Sequence, residues 1–261
     1  MSHARFDFGG KRILVIGARS HLSSSILTRL KQSGAMAILA DKNATAAVEE
    51  ASETGAIAFP HPLDVTDPGV CREAVDRIWR EHGFDHLVVA SGYGPITPLS
   101  HGSAALWNEV INVCLVGVRN LVAALLDVTG EIPSESSRSI VVVSSINSHI
   151  PIKGYSAYCA AKAGLEMFIR VAALECEHLI RINGVAPGPL EPIGGAKAAF
   201  PALVDPLRRQ HVIAPHLTLA VDVANAILYL LSDAASWITG QTITVDGGLS
   251  ISYTNRASWK K

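Results

Sequence analysis

Charge is scarce in this chain and evenly divided. Lys and Arg number 22 against 23 Asp and Glu, leaving a net charge of −1, and no basic run concentrates them. A surface built to neutralise phosphates is therefore excluded, and nucleic acid is not an expected partner. Cysteine is sparse as well. Cys71, Cys114, Cys159 and Cys176 show no CxxC spacing, which predicts reduced thiols in a cytoplasmic protein and no disulfide framework. The histidines are scattered without an HExxH pattern, so no metal site is expected. Continuous apolar runs stop well before the ~18 positions needed to cross a bilayer. The opening Met-Ser-His-Ala-Arg-Phe-Asp-Phe lacks the apolar core of a signal peptide. Neither a membrane nor a secretory route is expected.

Apolar residues are plentiful, at 49% of 261 residues against 17% charged, which fits one large domain burying roughly three-quarters of its unfolded surface. Apolar runs of strand length alternate with longer amphipathic stretches. Strands are expected at Arg12–Gly17, Met36–Ala40, Ala56–Phe59, His86–Ala90, Ser139–Ser144, Ile180–Val185 and Thr242–Val245. Helices are expected at His21–Ser33, Asn43–Glu53, Pro68–His82 behind an Asp67 cap, Ala104–Val128, Ser156–His178 and Val221–Ser232. Strands separated by helices dictate right-handed crossovers, hence an α/β fold: a single-domain, Rossmann-type, doubly wound sheet of seven parallel strands over about 11–250. The irregular stretch 187–219 is too long for a simple connection and reads as a lid over substrate and cofactor. Residues 251–261 form a C-terminal tail.

Tyr158 and Lys162 stand four apart on an expected helix, so both emerge from one face. A phenol is a poor acid or base at neutral pH because its ordinary pKa is about 10, and a neighbouring ammonium favours its charged form. Ser145 follows the fifth strand, thirteen residues before Tyr158, where a hydroxyl can hold a substrate oxygen beside the phenol. Taken alone, a YxxxK pair reads better as a Tyr and Lys on a solvated helix face.

Longer segments remove that ambiguity. VVVSSINSHIPIKGYSAYCAAKAGL, RINGVAPGP and ASWITGQTITVDGGLS resemble the active-site, strand-six and C-terminal segments of the short-chain dehydrogenase/reductase family, and the likeness extends over residues 12–250. The resemblance implies an NAD(P)-dependent oxidoreductase that moves a hydride between nicotinamide and a secondary alcohol or ketone. In that role Ser145 orients the substrate, Tyr158 is the general acid–base, and Lys162 tunes the phenol and binds the nicotinamide ribose. Asn112, in EVINVCLVG, is read as the fourth catalytic residue, an Asn in an apolar helix that needs a buried polar partner. A homo-oligomer, dimer or tetramer, follows from the likeness of the two long helices and the C-terminal signature to the family's contacts.

The cofactor end departs from the family pattern. Where TGxxxGxG is usual, this chain has Ile16-Gly17-Ala18-Arg19-Ser20-His21-Leu22-Ser23. His21 and Ser23 replace two glycines, adding Cβ atoms and expected backbone strain. The NNAG motif appears as Val89-Ala90-Ser91-Gly92, and Pro192 stands for the Thr of the loop that begins Pro187-Gly188-Pro189-Leu190. The expected cofactor contacts are Gly17, Arg19, Ser20, His21, Leu22, Asp41, Asp64, Val65, Ala90, Ser91, Gly92, Pro187, Gly188 and Leu190, with Tyr158 and Lys162. Asp41, closing strand two, suits the free ribose of NAD better than the 2′-phosphate of NADP. Arg19 is the opposing signal, and Asp41 as a cap of the next helix is the rival reading. The substrate walls are the turn Tyr93–Leu99, the segment Ile146–Tyr155 and the lid, where His149, Ile150, Ile152, Phe200 and Leu203 suggest a hydrophobic or cyclic small molecule. Arg208, Arg209 and His211 are a solvated basic cluster or a carboxylate site. The eroded turn keeps a second class of function open: a weakly catalytic binding or partner subunit with impaired dinucleotide binding. A non-redox reuse of the pocket is disfavoured by Lys162.

Overall fold

A computed structural model describes residues 6–129, 138–177, 180–190, 213–214 and 218–252. Among them seven strands form one parallel sheet: β1 (Arg12–Ile16), β2 (Met36–Ala40), β3 (Ile57–Ala58), β4 (His86–Val89), β5 (Arg138–Val143), β6 (Ile180–Pro187) and β7 (Thr242–Val245). Their order is β3-β2-β1-β4-β5-β6-β7. It reverses between β1 and β4, and at such a switch point the strand ends open a crevice for ligands. The doubly wound α/β sheet read from the alternation is the observed one.

Side-chain parity along the strands makes the two layers. Leu14 and Ile16 of β1, with Leu87 and Val89 of β4 and Ile140 and Val142 of β5, enter one core. That core is covered by α3 (Pro68–His82), α5 (Gly117–Thr129) and α6 (Ser156–Glu175). Ile13, Val15, Val88 and Val141 enter the other, against α1 (His21–Gln32) and α7 (Ala220–Leu231). Strands buried on both faces explain the nearly continuous apolar runs. Between β2 and β3 runs α2 (Ala44–Thr54), and α8 (Leu249–Ser252) ends the described chain.

Most boundaries shift by one or two residues, as capping decides them. Asp67 Oδ1 accepts the Gly69 and Val70 N–H at 2.8 and 3.0 Å, with Pro68 first in the helix. Asn43 lies outside α2 and caps it, accepting the Ala46 N–H at 3.1 Å. The long helix from Ala104 needs a larger correction. It consists of α4 (Ala104–Ile111), a π-helical turn over Asn112–Val116, and α5. The Gly117 N–H reaches back five residues to the Asn112 carbonyl. Over Ala104–Val128 it is long and apolar enough to cross a membrane, yet it lies half buried against the rest of the fold, where α3 and α6 cover it. Phe200, Leu203, Arg208, Arg209, His211 and Pro192, with most of the lid and tail, lie outside the described residues.

Candidate active site

The end of β5 and the start of α6 assemble the chemistry. Ser145 is 8% exposed and caps the short helical turn Ile146–Ser148, its Oγ accepting the Asn147 N–H at 3.2 Å. Lys162 is 2% exposed, although no carboxylate among the described residues pairs with it. Its ammonium is held by the Val143 carbonyl at 2.8 Å and lies 5.6 Å from the centre of the Tyr158 ring. A dry cation so aimed puts positive charge beside the half-buried phenol. The helix periodicity that joined Tyr158 to Lys162 also brings Glu166 one turn further on. Glu166 Oε1 accepts the Ser144 and Ser148 hydroxyls at 3.1 and 2.5 Å, pinning both ends of the segment that carries Ser145.

The entrance is tied to the same helix. Thr97 is buried, its N–H donating to the Gly154 carbonyl at 2.6 Å and its Oγ1 accepting the Ala157 N–H at 3.2 Å. The Tyr93–Leu99 turn thereby stays against the first turn of α6, close enough that a Cβ on Gly94 would meet the Tyr158 ring at 3.1 Å. Neither Thr97 nor Glu166 was expected from the sequence, since each works through contacts between distant segments.

At Asn112 it is the expected burial that is corrected. The side chain is exposed, where the sequence reading required a buried polar partner. The residue of the π-helical turn that faces inward is Cys114, fully buried against Ala157, Ala161 and Tyr158. Its Sγ meets the Tyr93 N–H and carbonyl at 3.4 and 3.3 Å. Tyr158 and Lys162 are brought together, Ser145 lies on the segment that Glu166 ties to the same helix, and Asn112 is exposed. Burial also pushes the thiols of Cys71 and Cys176 up, to about 12 and about 11, so both are inert.

At the switch point the altered glycine turn is well formed. Gly17 keeps its glycine for two reasons: its φ is +111°, and a Cβ there would stand 2.9 Å from the Ser91 nitrogen. The strain expected at His21 and Ser23 is absent, because both lie inside α1. The left-handed residue is Arg19, with φ 59°. Ser20 caps α1, its Oγ accepting the Ser23 N–H at 3.0 Å while Ser23 Oγ accepts the Ser20 N–H. Asp41 Oδ2 accepts the Ala18 N–H at 2.8 Å and Oδ1 the Asn43 N–H at 2.7 Å. Asn43 being the cap of α2, the rival reading of Asp41 falls. Arg19 directs its guanidinium to Glu49 at 3.5 Å. At positions one and two of α1, the His21 and Leu22 N–H groups have no carbonyl one turn back to donate to.

Beside that helix start, the Ser91 hydroxyl is buried with no hydrogen-bond partner among the described residues. Ala90 donates its N–H to Ile16 at 2.8 Å, and Gly92 is exposed. Asp64 holds Lys42 at 2.7 Å. Burial draws its carboxyl upward, but Lys42 and Thr66 outweigh that and leave it below its ordinary value, while Lys42 is raised in return. Val65 points away from the crevice, into the approach of α5, and its carbonyl accepts Asn120 Nδ2 at 3.0 Å. Gly188 donates its N–H to Val245 at 2.8 Å, and Leu190 bridges Thr218, closing the far side beyond Pro187. Free helix-start donors, a left-handed turn and an orphaned hydroxyl around one strand-end crevice fit a dinucleotide.

The comparisons with known proteins agree. A family model described as enoyl-(acyl carrier protein) reductase matches residues 17–250. The chain is 32% identical over 247 residues to the 3-oxoacyl-[acyl-carrier-protein] reductase FabG of Thermotoga maritima, covering 93% of this chain and 98% of that one. It is 31% identical over 265 residues to 3beta-hydroxysteroid dehydrogenase 1 of Eggerthella lenta, covering 94% and 95%. Among solved structures it resembles 7 alpha-hydroxysteroid dehydrogenase complexed with NADH and 7-oxo glycochenodeoxycholic acid, at a TM-score of 0.81 and 26% identity, covering 94% and 95% of the two chains.

Proposed function

The chain belongs to the short-chain dehydrogenase/reductase family and is a nicotinamide-dependent oxidoreductase of alcohols and ketones; from that premise we propose that Tyr158 is its general acid–base and NAD its cofactor. The observation that carries the catalytic assignment is the buried, carbonyl-held Lys162 ammonium beside the Tyr158 ring. Bound nicotinamide supplies the acceptor or donor of hydride. Ser145 holds the substrate oxygen, and Tyr158 takes the proton of the hydroxyl during oxidation or returns one to the carbonyl during reduction. Lys162 stabilises negative charge on the phenol oxygen from a site that water does not reach.

NAD is favoured over NADP by charge. Arg19 turns its guanidinium to Glu49, while the Asp41 carboxylate stands at the end of β2 where the ribose would lie. The pyrophosphate is received by the His21 and Leu22 N–H groups, and Ser91 offers its unused hydroxyl. Gly17, Ser20, Gly92, Pro187, Gly188 and Leu190 shape the crevice, and Asp64 its adenine side, with the Val65 side chain directed away from it.

The substrate is a hydrophobic, cyclic secondary alcohol or ketone. Ile96 is exposed at the entrance with Tyr93, and Ile150 and Ile152 stand half-buried on the opposite segment; the steroid-acting relatives fit such walls. The reading also takes the protein to be cytoplasmic, which suits four free cysteines. A second copy of the chain covers the apolar stripe of Met167, Val171 and Leu174 on α6, so light scattering should report a dimer or tetramer.

Titration with NADH and NADPH, followed by nicotinamide fluorescence, tests the cofactor. Binding of NADH in the micromolar range with NADPH far weaker is expected, and a screen of cyclic alcohols with NAD should then give turnover. Failure of both dinucleotides at millimolar concentration overturns the reading in favour of a partner subunit.

A further inference from the structure

Glu50 plays no part in the chemistry above, yet its carboxylate is 1% exposed between α1 and α2. Burying such a group is costly unless donors meet it, and three do. The Arg19 N–H donates to Oε2, and the Ser23 and Ser24 hydroxyls lie 2.8 Å from Oε1. The positive end of the α1 macrodipole adds to them. No guanidinium or ammonium among the described residues pairs with Glu50, since Arg19 reaches Glu49 instead.

All three donors belong to the cofactor turn or to the first turn of α1. Arg19 is the turn residue with φ 59°, a conformation that a residue with a side chain resists. Ser23 Oγ lies 2.8 Å from both the Glu50 carboxylate and the Ser20 carbonyl, and it accepts the Ser20 N–H at 3.0 Å. With Gly17 N–H on the Ala40 carbonyl and Ala18 N–H on Asp41, four successive turn amides have fixed acceptors. The next two, at His21 and Leu22, are the ones left for an anion.

We infer that Glu50 is the positioning residue of the cofactor turn. It holds Arg19 in the left-handed conformation by hydrogen bonding, where a glycine would reach that conformation unaided, and so aims the His21 and Leu22 amides at the pyrophosphate. This deepens the cofactor assignment and rests on it. A carboxylate that merely staples α2 to α1 would affect stability alone.

The test compares the wild type, Glu50→Gln, and Glu50→Gln combined with Arg19→Gly. NADH affinity, steady-state kinetics and backbone amide exchange over residues 18–23 of the free protein are measured. Glu50→Gln is expected to weaken NADH about tenfold, since one buried donor loses its acceptor. KM for NAD should rise with it, kcat should stay within about twofold, and the Arg19 and Ser20 amides should exchange faster. Adding Arg19→Gly should restore most of the affinity, because glycine needs no clamp. Unchanged NADH affinity in Glu50→Gln overturns the proposal, as does a loss that Arg19→Gly fails to restore. Should Glu50→Gln not fold, Ser24→Ala removes one donor only: weakening of about threefold supports the proposal and wild-type affinity overturns it. A wild type that binds neither dinucleotide overturns the cofactor reading itself, and the proposal with it.

Discussion

Tyr158 and Lys162 draw their chemistry from unequal surroundings on one helix face. The phenol is half-buried and open to the crevice, whereas the ammonium is 2% exposed and held by the Val143 carbonyl at 2.8 Å. Replacing Tyr158 by Phe keeps the ring and removes the proton carrier. Turnover should fall by about 10²–10⁴-fold, with NADH affinity within about twofold of the wild type when titrated by fluorescence. Retained turnover would refute the assignment. Asn112→Ala should leave both kcat and KM within about twofold, as exposed substitutions usually do; a loss of kcat above tenfold would restore Asn112 to the chemistry. The spacing of Tyr158, Lys162 and Ser145 was legible because helical periodicity and a strand end fix where they point. The burial expected at Asn112 fails for a different reason: Val110, Cys114, Val118 and Leu121, four, four and three positions apart, form the buried face of this helix, and Asn112 lies off it.

At the scale of elements, the π-helical turn and the approach beside it rest on Gly117. A Cβ at Gly117 would lie 2.5 Å from Val65 Cγ2 and 3.2 Å from the Asn112 carbonyl oxygen. Alanine would raise helix propensity by about 1 kcal/mol, but it must push α5 away from the segment after β3 or distort the turn, at a cost of about 1–3 kcal/mol. Gly117→Ala should therefore lower stability by about 1 kcal/mol in urea titration; an equal or higher midpoint would show that the approach is not tight. Strands, helices and the order of crossovers were legible because apolar runs, Asp67 with Pro68 and the alternation of elements are local signals. The clamp on the glycine turn was not. Glu50 reads from sequence as one of three acidic residues on a short helix, although it follows Ala46 and Ala47 by four and three positions on the buried face. Its partners lie 26 to 31 residues away, so only the packing of α1 on α2 reveals the role. The clamp acts at Arg19, whereas His21 and Ser23, which stand for the two missing glycines, lie inside α1 without strain.

For the molecule as a whole, stability depends on what the two apolar layers enclose at the sheet. His86 opens β4 at 4% exposure, its Nδ1 accepting the Ser139 N–H of β5 at 3.1 Å and its ring edge-on to Phe8. Burial lowers its pKa to about 4. Lys11 and Arg181 push in the same direction, while Asp85 and Asp233 oppose them. Protonation would also remove the acceptor that Ser139 uses. In the unfolded chain the same imidazole titrates near 6.5. Between about pH 6.5 and 4 the unfolded state therefore binds a proton that the folded state refuses, so stability must fall with pH across that window and be complete above it. Linkage puts the full loss at about 3 kcal/mol by pH 4. Arg181 acts next to this site, donating to the Leu230, Leu231 and Ser232 carbonyls at 2.8, 3.2 and 3.3 Å, so β6 and the end of α7 share the same region. Urea unfolding at pH 7.5 and pH 5 should show the wild type losing about 2 kcal/mol. His86→Gln, which keeps an acceptor without a titrating group, should be less stable at pH 7.5 and lose about 2 kcal/mol less on acidification. If the two proteins lose stability in parallel, the acid sensitivity arises from other groups and His86 is not the residue that sets it.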